Sequence, residues 1–114
     1  MRTLKFIVEG DRVRKDRTCL DFNDAYIPDD EPVNAEFIFG PEWNSYPIRV
    51  VAFFDRTRKE CPPRTLDKNM RCVIPDEALR QSILHIQVLG IEGGGKLGYN
   101  VMKTDRCAIC WIGR

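Results

Sequence analysis

Long apolar runs are missing from this sequence. No stretch approaches the ~20 consecutive apolar residues of a membrane-spanning helix, and the opening MRTLKFIVEGDR has neither the apolar segment nor the small-residue cleavage site of a secretory signal. A soluble protein made in a cytoplasm is therefore expected, with no membrane as partner. An excess of one charge is missing as well: 18 Lys and Arg stand against 17 Asp and Glu, a formal net charge of +1. Such a chain has no overall field to draw in nucleic acid, so none is expected as a partner. Histidine is reduced to His85 alone, and no GxSxG or comparable motif accompanies it, which leaves a Ser-His or Cys-His hydrolase without its parts. The cysteines Cys19, Cys61, Cys72, Cys107 and Cys110 are odd in number and lack a secretory context, which points to reduced thiols instead of a disulfide framework. Internal repeats and low-complexity segments are absent, and only Gly113-Arg114 follow the last strand-like run, so residues 1–114 are expected to form a single domain.

What is present is alternation. Thr3 to Glu9 places Leu4, Phe6 and Val8 on one face and Thr3, Lys5 and Glu9 on the other, the period of a half-buried strand. Gly10-Asp11 turns the chain, Arg12 to Arg17 continues as a charged edge strand through Val13, and Cys19 to Phe22 alternates briefly. Pro28, Asp29, Asp30 and Pro32 mark an exposed loop over Asn23 to Pro32. Ala35, Phe37 and Phe39 form the next apolar face, and a turn around Pro41-Glu42-Trp43-Asn44 leads into Ile48 to Phe54. In that run Ile48, Val50, Ala52 and Phe54 share one face, with Val51 and Phe53 on the other. A strand apolar on both faces is covered on both, by a sheet, a helix or a partner chain, so this one is expected to be central.

Asp55 to Lys59 reads as a polar connection, and Cys61-Pro62-Pro63 cannot lie inside a sheet, because proline has no amide to donate. Met70, Cys72 and Ile74 share a face of a short strand, and Asp76 is placed to cap a short helix over Asp76 to Arg80. Ser82 to Ile91 is the clearest strand, with Leu84, Ile86 and Val88 inward. The glycine-rich Glu92 to Lys96 turns it back into Leu97 to Met102, and a strand from Arg106 to Ile112 follows. Seven or eight short strands, with turn signals every ~8 to 12 residues and one short helix, predict an all-β fold, a single antiparallel β-sandwich of immunoglobulin-like kind.

Cys107-Ala108-Ile109-Cys110 is the first candidate for chemistry, because two thiolates three residues apart chelate zinc or cycle as a redox pair when a turn brings them together. Here they fall in a predicted strand, where positions i and i+3 face opposite ways. No second CxxC or CxH pair supplies further ligands, so strand packing is preferred, and neither metal nor cofactor nor catalytic residue is expected. Glu92 to Lys96 fails as a phosphate loop at Leu97, where Ser or Thr and a helix are required. Asp29, Asp30 and Glu31 match no calcium-loop spacing and read as a solvated turn. The basic clusters Arg12 to Arg17 and Arg56-Thr57-Arg58-Lys59 read as a charged edge and a solvated loop. Trp43 and Trp111 are of the size that anchors a core or an interface, core first. Trp43, Val51 and Phe53 are the residues expected at a protein interface if the chain works by assembly.

Four segments carry a family resemblance: LKFIVEGDRV, AEFIFGPEWNSYPIRVVAFF, MRCVIPDEAL and LHIQVLGIEGGGKLGYNVMKTDRCAICWI. In order, they cover most of the chain, which resembles the small β-sandwich domains of tailed-phage upper baseplate and minor tail proteins, in phages and prophages of Gram-positive bacteria. The resemblance implies a non-enzymatic structural module of the virion. It would be made in the bacterial host cytoplasm and dock on other tail or baseplate proteins, with homo-oligomers among the options. Two alternatives stand beside it: a phage-encoded adaptor or inhibitor that binds a host protein, and a small zinc or redox protein using Cys107 and Cys110.

Overall fold

A computed structural model describes residues 2–19, 31–55, 57–80, 83–95 and 98–110. Two sheets pack face to face. The first holds β1 (Arg2–Glu9), β2 (Arg12–Lys15), β3 (Val33–Phe39) and β6 (Arg71–Val73), in the order β2-β1-β3-β6. The second holds β4 (Ile48–Phe54), β5 (Arg64–Thr65), β7 (Ile83–Gly95), β8 (Gly98–Lys103) and β9 (Cys107–Cys110), in the order β5-β4-β7-β8, with β9 also paired to β7. The all-β sandwich read from the alternation is the fold; of the brief alternation Cys19 to Phe22 only Cys19 is described, and Leu20-Asp21-Phe22 and most of the loop after it lie outside the described residues.

Alternation sets each strand's inner face. Leu4, Phe6 and Val8 of β1, Ala35 and Phe37 of β3, Val51 and Phe53 of β4, and Leu84, Ile86 and Val88 of β7 are all buried in one core. Each Leu, Ile, Val or Phe of this set contributes roughly 1.5–3 kcal/mol through removal from water, and Ala35 less, so the inward set dominates stability. The short helix α1 (Asp76–Leu79) adds Ala78 and Leu79 to the core beside β4 and β7. Its N-cap is Pro75 and makes no side-chain capping bond. Asp76, expected as the cap, is instead the first helical residue, and its carboxylate takes the Arg80 guanidinium at 2.6 Å one turn on.

One pairing departs from the antiparallel expectation. β1 and β3 run parallel, with Leu4 opposite Ala35, Phe6 opposite Phe37 and Val8 opposite Phe39. A parallel neighbour needs a return connection; β2 carries the chain back along β1, and residues 16–32 join its end to the start of β3. The other pairings are antiparallel. The β1–β2 hairpin turns on Gly10, whose φ of +57° is open to glycine at little cost.

The 34–55 segment is not a hairpin. β3 and β4 belong to different sheets, and the 3-10 turn Pro41–Trp43 carries the chain across the end of the sandwich. β7 is the spine of the second sheet. Its first half pairs with β9, its second half with β8, both on the same edge. At the junction Thr104 is buried, and its hydroxyl accepts from the Val88 amide at 3.0 Å and donates to the Asp105 carbonyl at 2.9 Å. A side chain thus completes the ladder where one strand stops and the next begins.

Candidate functional site

Trp43, Val51 and Phe53, the three residues expected at an interface if the chain works by assembly, are each 0% exposed and belong to the core of the chain itself. Trp43 is the keystone of the chain crossing. Its Nε1 donates to the Gly10 carbonyl at 3.0 Å, and its ring lies 5.2 Å from Phe39. Arg49 donates to the Tyr46 and Trp43 carbonyls, both at 2.9 Å, and stacks 4.3 Å over Phe39. Burial lowers the pKa of Arg49, and the two carbonyls satisfy the charge that burial penalises. The cluster fixes the crossing and presents no reactive group.

The outer sides of both sheets face solvent: the first exposes Ile38 and Val73, 48% and 49% exposed, and the second carries the longer apolar array. Register builds it level by level. Ile48, Ile91 and Val101 stand abreast on β4, β7 and β8, and next come Val50, Leu89 and Lys103. Ala52 and Gln87 follow, then Phe54, His85 and Ala108. Ile48 and Val101 are 46% and 56% exposed, and Ile83 beyond His85 is 43% exposed, so no described element lies over either end. Single exposed aliphatics are ordinary, and here Ile48 and Val101 flank the half-buried Ile91 in one row across three strands. The signal for it was in the sequence: β4 is apolar on both faces. Sheet packing covers Val51 and Phe53, and leaves Ile48 and Val50 for something else.

At the His85 end the face becomes cationic. Phe54 and Ala108 floor a recess of about 240 Å³, with Arg58, His85 and Arg106 around it. The Arg106 guanidinium sits 3.9 Å over the Phe54 ring, which accounts for the burial of an aromatic on an outer face. Arg58 reaches the recess from the Asp55–Lys59 turn. The Asp55 carboxylate holds that turn by accepting from the Thr57 hydroxyl at 2.6 Å and from the Thr57 and Lys59 amides. The Thr57 hydroxyl, then those amides, hold the Asp55 pKa below its ordinary value against a smaller opposing effect of burial.

The thiols are placed for packing. Cys61 is buried and Cys72 packs against the core, and burial pushes both pKa values up, that of Cys72 to about 12. Cys107 donates its S–H to the Asp105 carbonyl and accepts from the Val13 amide, both at 3.3 Å, so it ties β9 to β2 of the other sheet. Cys107 and Cys110 are the first and last residues of β9, three positions apart in an element whose positions alternate. Among the described residues no group of three or more His, Cys, Asp or Glu could hold a metal ion. Of the acidic loop, Glu31 lies 3.6 Å from Arg2, while Asp29 and Asp30, like Trp111, are outside the described residues.

No family model, curated protein or solved structure matches this chain.

Proposed function

We propose that this protein is a non-enzymatic docking module whose working surface is the outer side of the second sheet. The observation that carries the reading is the matched register of Ile48, Ile91 and Val101, continued by Val50 and Leu89, on a face left open to solvent. The occupant is a different protein with an apolar surface and acidic groups to one side. Lys103, Arg58 and Arg106 give the face a positive character, and a second copy would bring like charges to the contact. The biological setting proposed is tail or baseplate assembly of a phage or prophage, on the strength of the sequence segments quoted above.

The test uses virions purified from the host that carries the gene, with lysine cross-linking and mass spectrometry. Presence of the chain in the particles, with cross-links from Lys103 to a tail or baseplate protein, supports the reading. An Ile48→Ser/Val101→Ser variant, folded by circular dichroism, is expected to drop out of the particles. Absence from purified virions removes the structural role in favour of a host-directed adaptor. Full incorporation of the double variant removes the face, and a stable dimer in sedimentation makes a second copy the occupant.

A further inference from the structure

The recess at the His85 end carries positive charge that nothing described neutralises. Neither Arg58 nor Arg106 has a carboxylate within ion-pair distance among the described residues. Glu60, which faces Phe54 across an isolated bridge, pairs with neither. The adjoining recess along β2 and β9 makes the contrast. There Arg14 lies 2.9 Å from Glu9, and Arg12 lies 3.9 Å from Asp105. Arg12 and Arg14 there have their counter-charges from this chain, whereas Arg106, which lines both recesses, and Arg58 have none among the described residues.

The geometry suits a planar anion. The Arg106 guanidinium, its Cζ 3.9 Å over the Phe54 ring, has a planar fork of N–H donors that can meet a carboxylate two bonds at a time. His85 offers a ring N–H in either charge state. Arg58 occupies the left-handed region at φ 67°, which glycine or asparagine takes at lower cost. A long cationic side chain stands at the position where the backbone least favours it.

We infer that this recess receives a carboxylate of the docked partner, an Asp or Glu side chain held between Arg58 and Arg106 with His85 as a further donor. The inference rests on the docking reading above and adds the partner's chemistry. Leu89 and Ile91 lie four and six residues from His85 along β7, about 13 and 20 Å at ~3.3 Å per residue. An extended partner segment with an acid at its first position and aliphatic residues at its fifth and seventh matches that spacing, because alternate residues share a face. A nucleic-acid phosphate is the poorer fit, since the face beside the recess is aliphatic.

The experiment is an NMR titration of the full chain with acetyl-Glu-Ser-Thr-Ser-Val-Thr-Ile-amide, and with the same peptide carrying Gln for Glu. The acidic peptide is expected to bind at least about tenfold more tightly and to shift the amides of His85, Ala108 and Ile91. Arg58→Gly and Arg106→Gln are each expected to weaken the acidic peptide about tenfold and leave the Gln peptide unchanged. Arg58→Gly also relieves the backbone, so its thermal midpoint should hold or rise, and lost affinity cannot be laid to misfolding. Equal affinity for the two peptides, with shifts at Ile48, Ile91 and Val101, overturns the carboxylate recess and leaves the docking face standing. No shift on the outer face at millimolar peptide overturns both. Displacement of the acidic peptide by oligothymidylate at lower concentration overturns the inference in favour of nucleic acid.

Discussion

Replacing Gly90 with alanine tests the contact that joins the chain crossing to the spine of the second sheet. A Cβ built at Gly90 would lie 2.8 Å from Trp43 Cζ3, 2.8 Å from Tyr46 Cβ and 3.0 Å from Trp43 Cε3. Neither neighbour yields cheaply. The Trp43 ring is fully buried and tethered through Nε1 to Gly10, and the Tyr46 Cβ is fixed by its own backbone. Overpacking of a well-filled core costs about 1–3 kcal/mol, and two rigid neighbours place this case in the upper half. Alanine also narrows the unfolded ensemble, which offsets about 0.4–1 kcal/mol. The net loss is about 1–2.5 kcal/mol. With an unfolding entropy of about 0.24 kcal/mol/K for a chain of 114 residues, the thermal midpoint should fall by about 4–10 °C. Calorimetry gives the midpoint, and Trp43 emission, recorded in a Trp111→Phe background, reports whether the indole has moved. An unchanged or higher midpoint with unaltered emission would refute the close packing of Trp43 on β7.

Thr104→Val keeps the shape and removes the acceptor of the buried Val88 amide. Leaving that donor unsatisfied should cost about 1–3 kcal/mol, whereas Thr104→Ser should lose clearly less; equal losses in urea melts would refute the stitching role. In acid, Glu42 is held below its ordinary 4.5 by the Gly10 amide and then by its own. Asp16 is held below 3.8 by the Thr18 hydroxyl and then its amide, and Asp55 chiefly by the Thr57 hydroxyl. A depressed carboxylate contributes stability that is complete above its unfolded pKa and lost as pH falls through the folded value. The urea midpoint should therefore stay level on the neutral side and decline below about pH 4.5, less steeply in Glu42→Gln. A rising midpoint on acidification would contradict the assignment. Thiol labelling at neutral pH should find Cys61 and Cys72 slow in the native protein, since a pKa near 12 leaves Cys72 about a thousandfold less thiolate than an ordinary value of 9.0. Rapid native labelling at either site would show that the core opens there.

Periodicity exposed the strands whose faces differ: β1, β3 and β7 follow their alternation into the core, whereas β4, apolar on both faces, gave no inward side. It is blind to direction and to partner, so the parallel β1–β3 pairing was not legible, nor that the strands on either side of the Pro41–Trp43 turn sit in different sheets. Two-residue β5 has too few positions to alternate, and it follows directly on Pro62-Pro63. Asp76 looks like a cap because acids favour helix starts, but Pro75 occupies the capping position and Arg80 claims the carboxylate. Half of the outer face of the second sheet was visible in Ile48, Val50, Ala52 and Phe54. The recess was not, because Arg58 and Arg106 come from loops far apart in the chain, and no local pattern announces that they meet.

The division of labour along β7 also sets a clock on the molecule's birth. β4 is made early, yet the strand it packs beside begins only at Ile83. At about 5–20 residues per second, its apolar surfaces wait a few seconds for that partner. The far edge of β7 then stays open until β8 and β9 have both emerged, with Thr104 between them. The second sheet is therefore finished from its C-terminal end. The outer face is complete only once β9 has been made, so a partner of that face would meet only chains whose synthesis has passed β9.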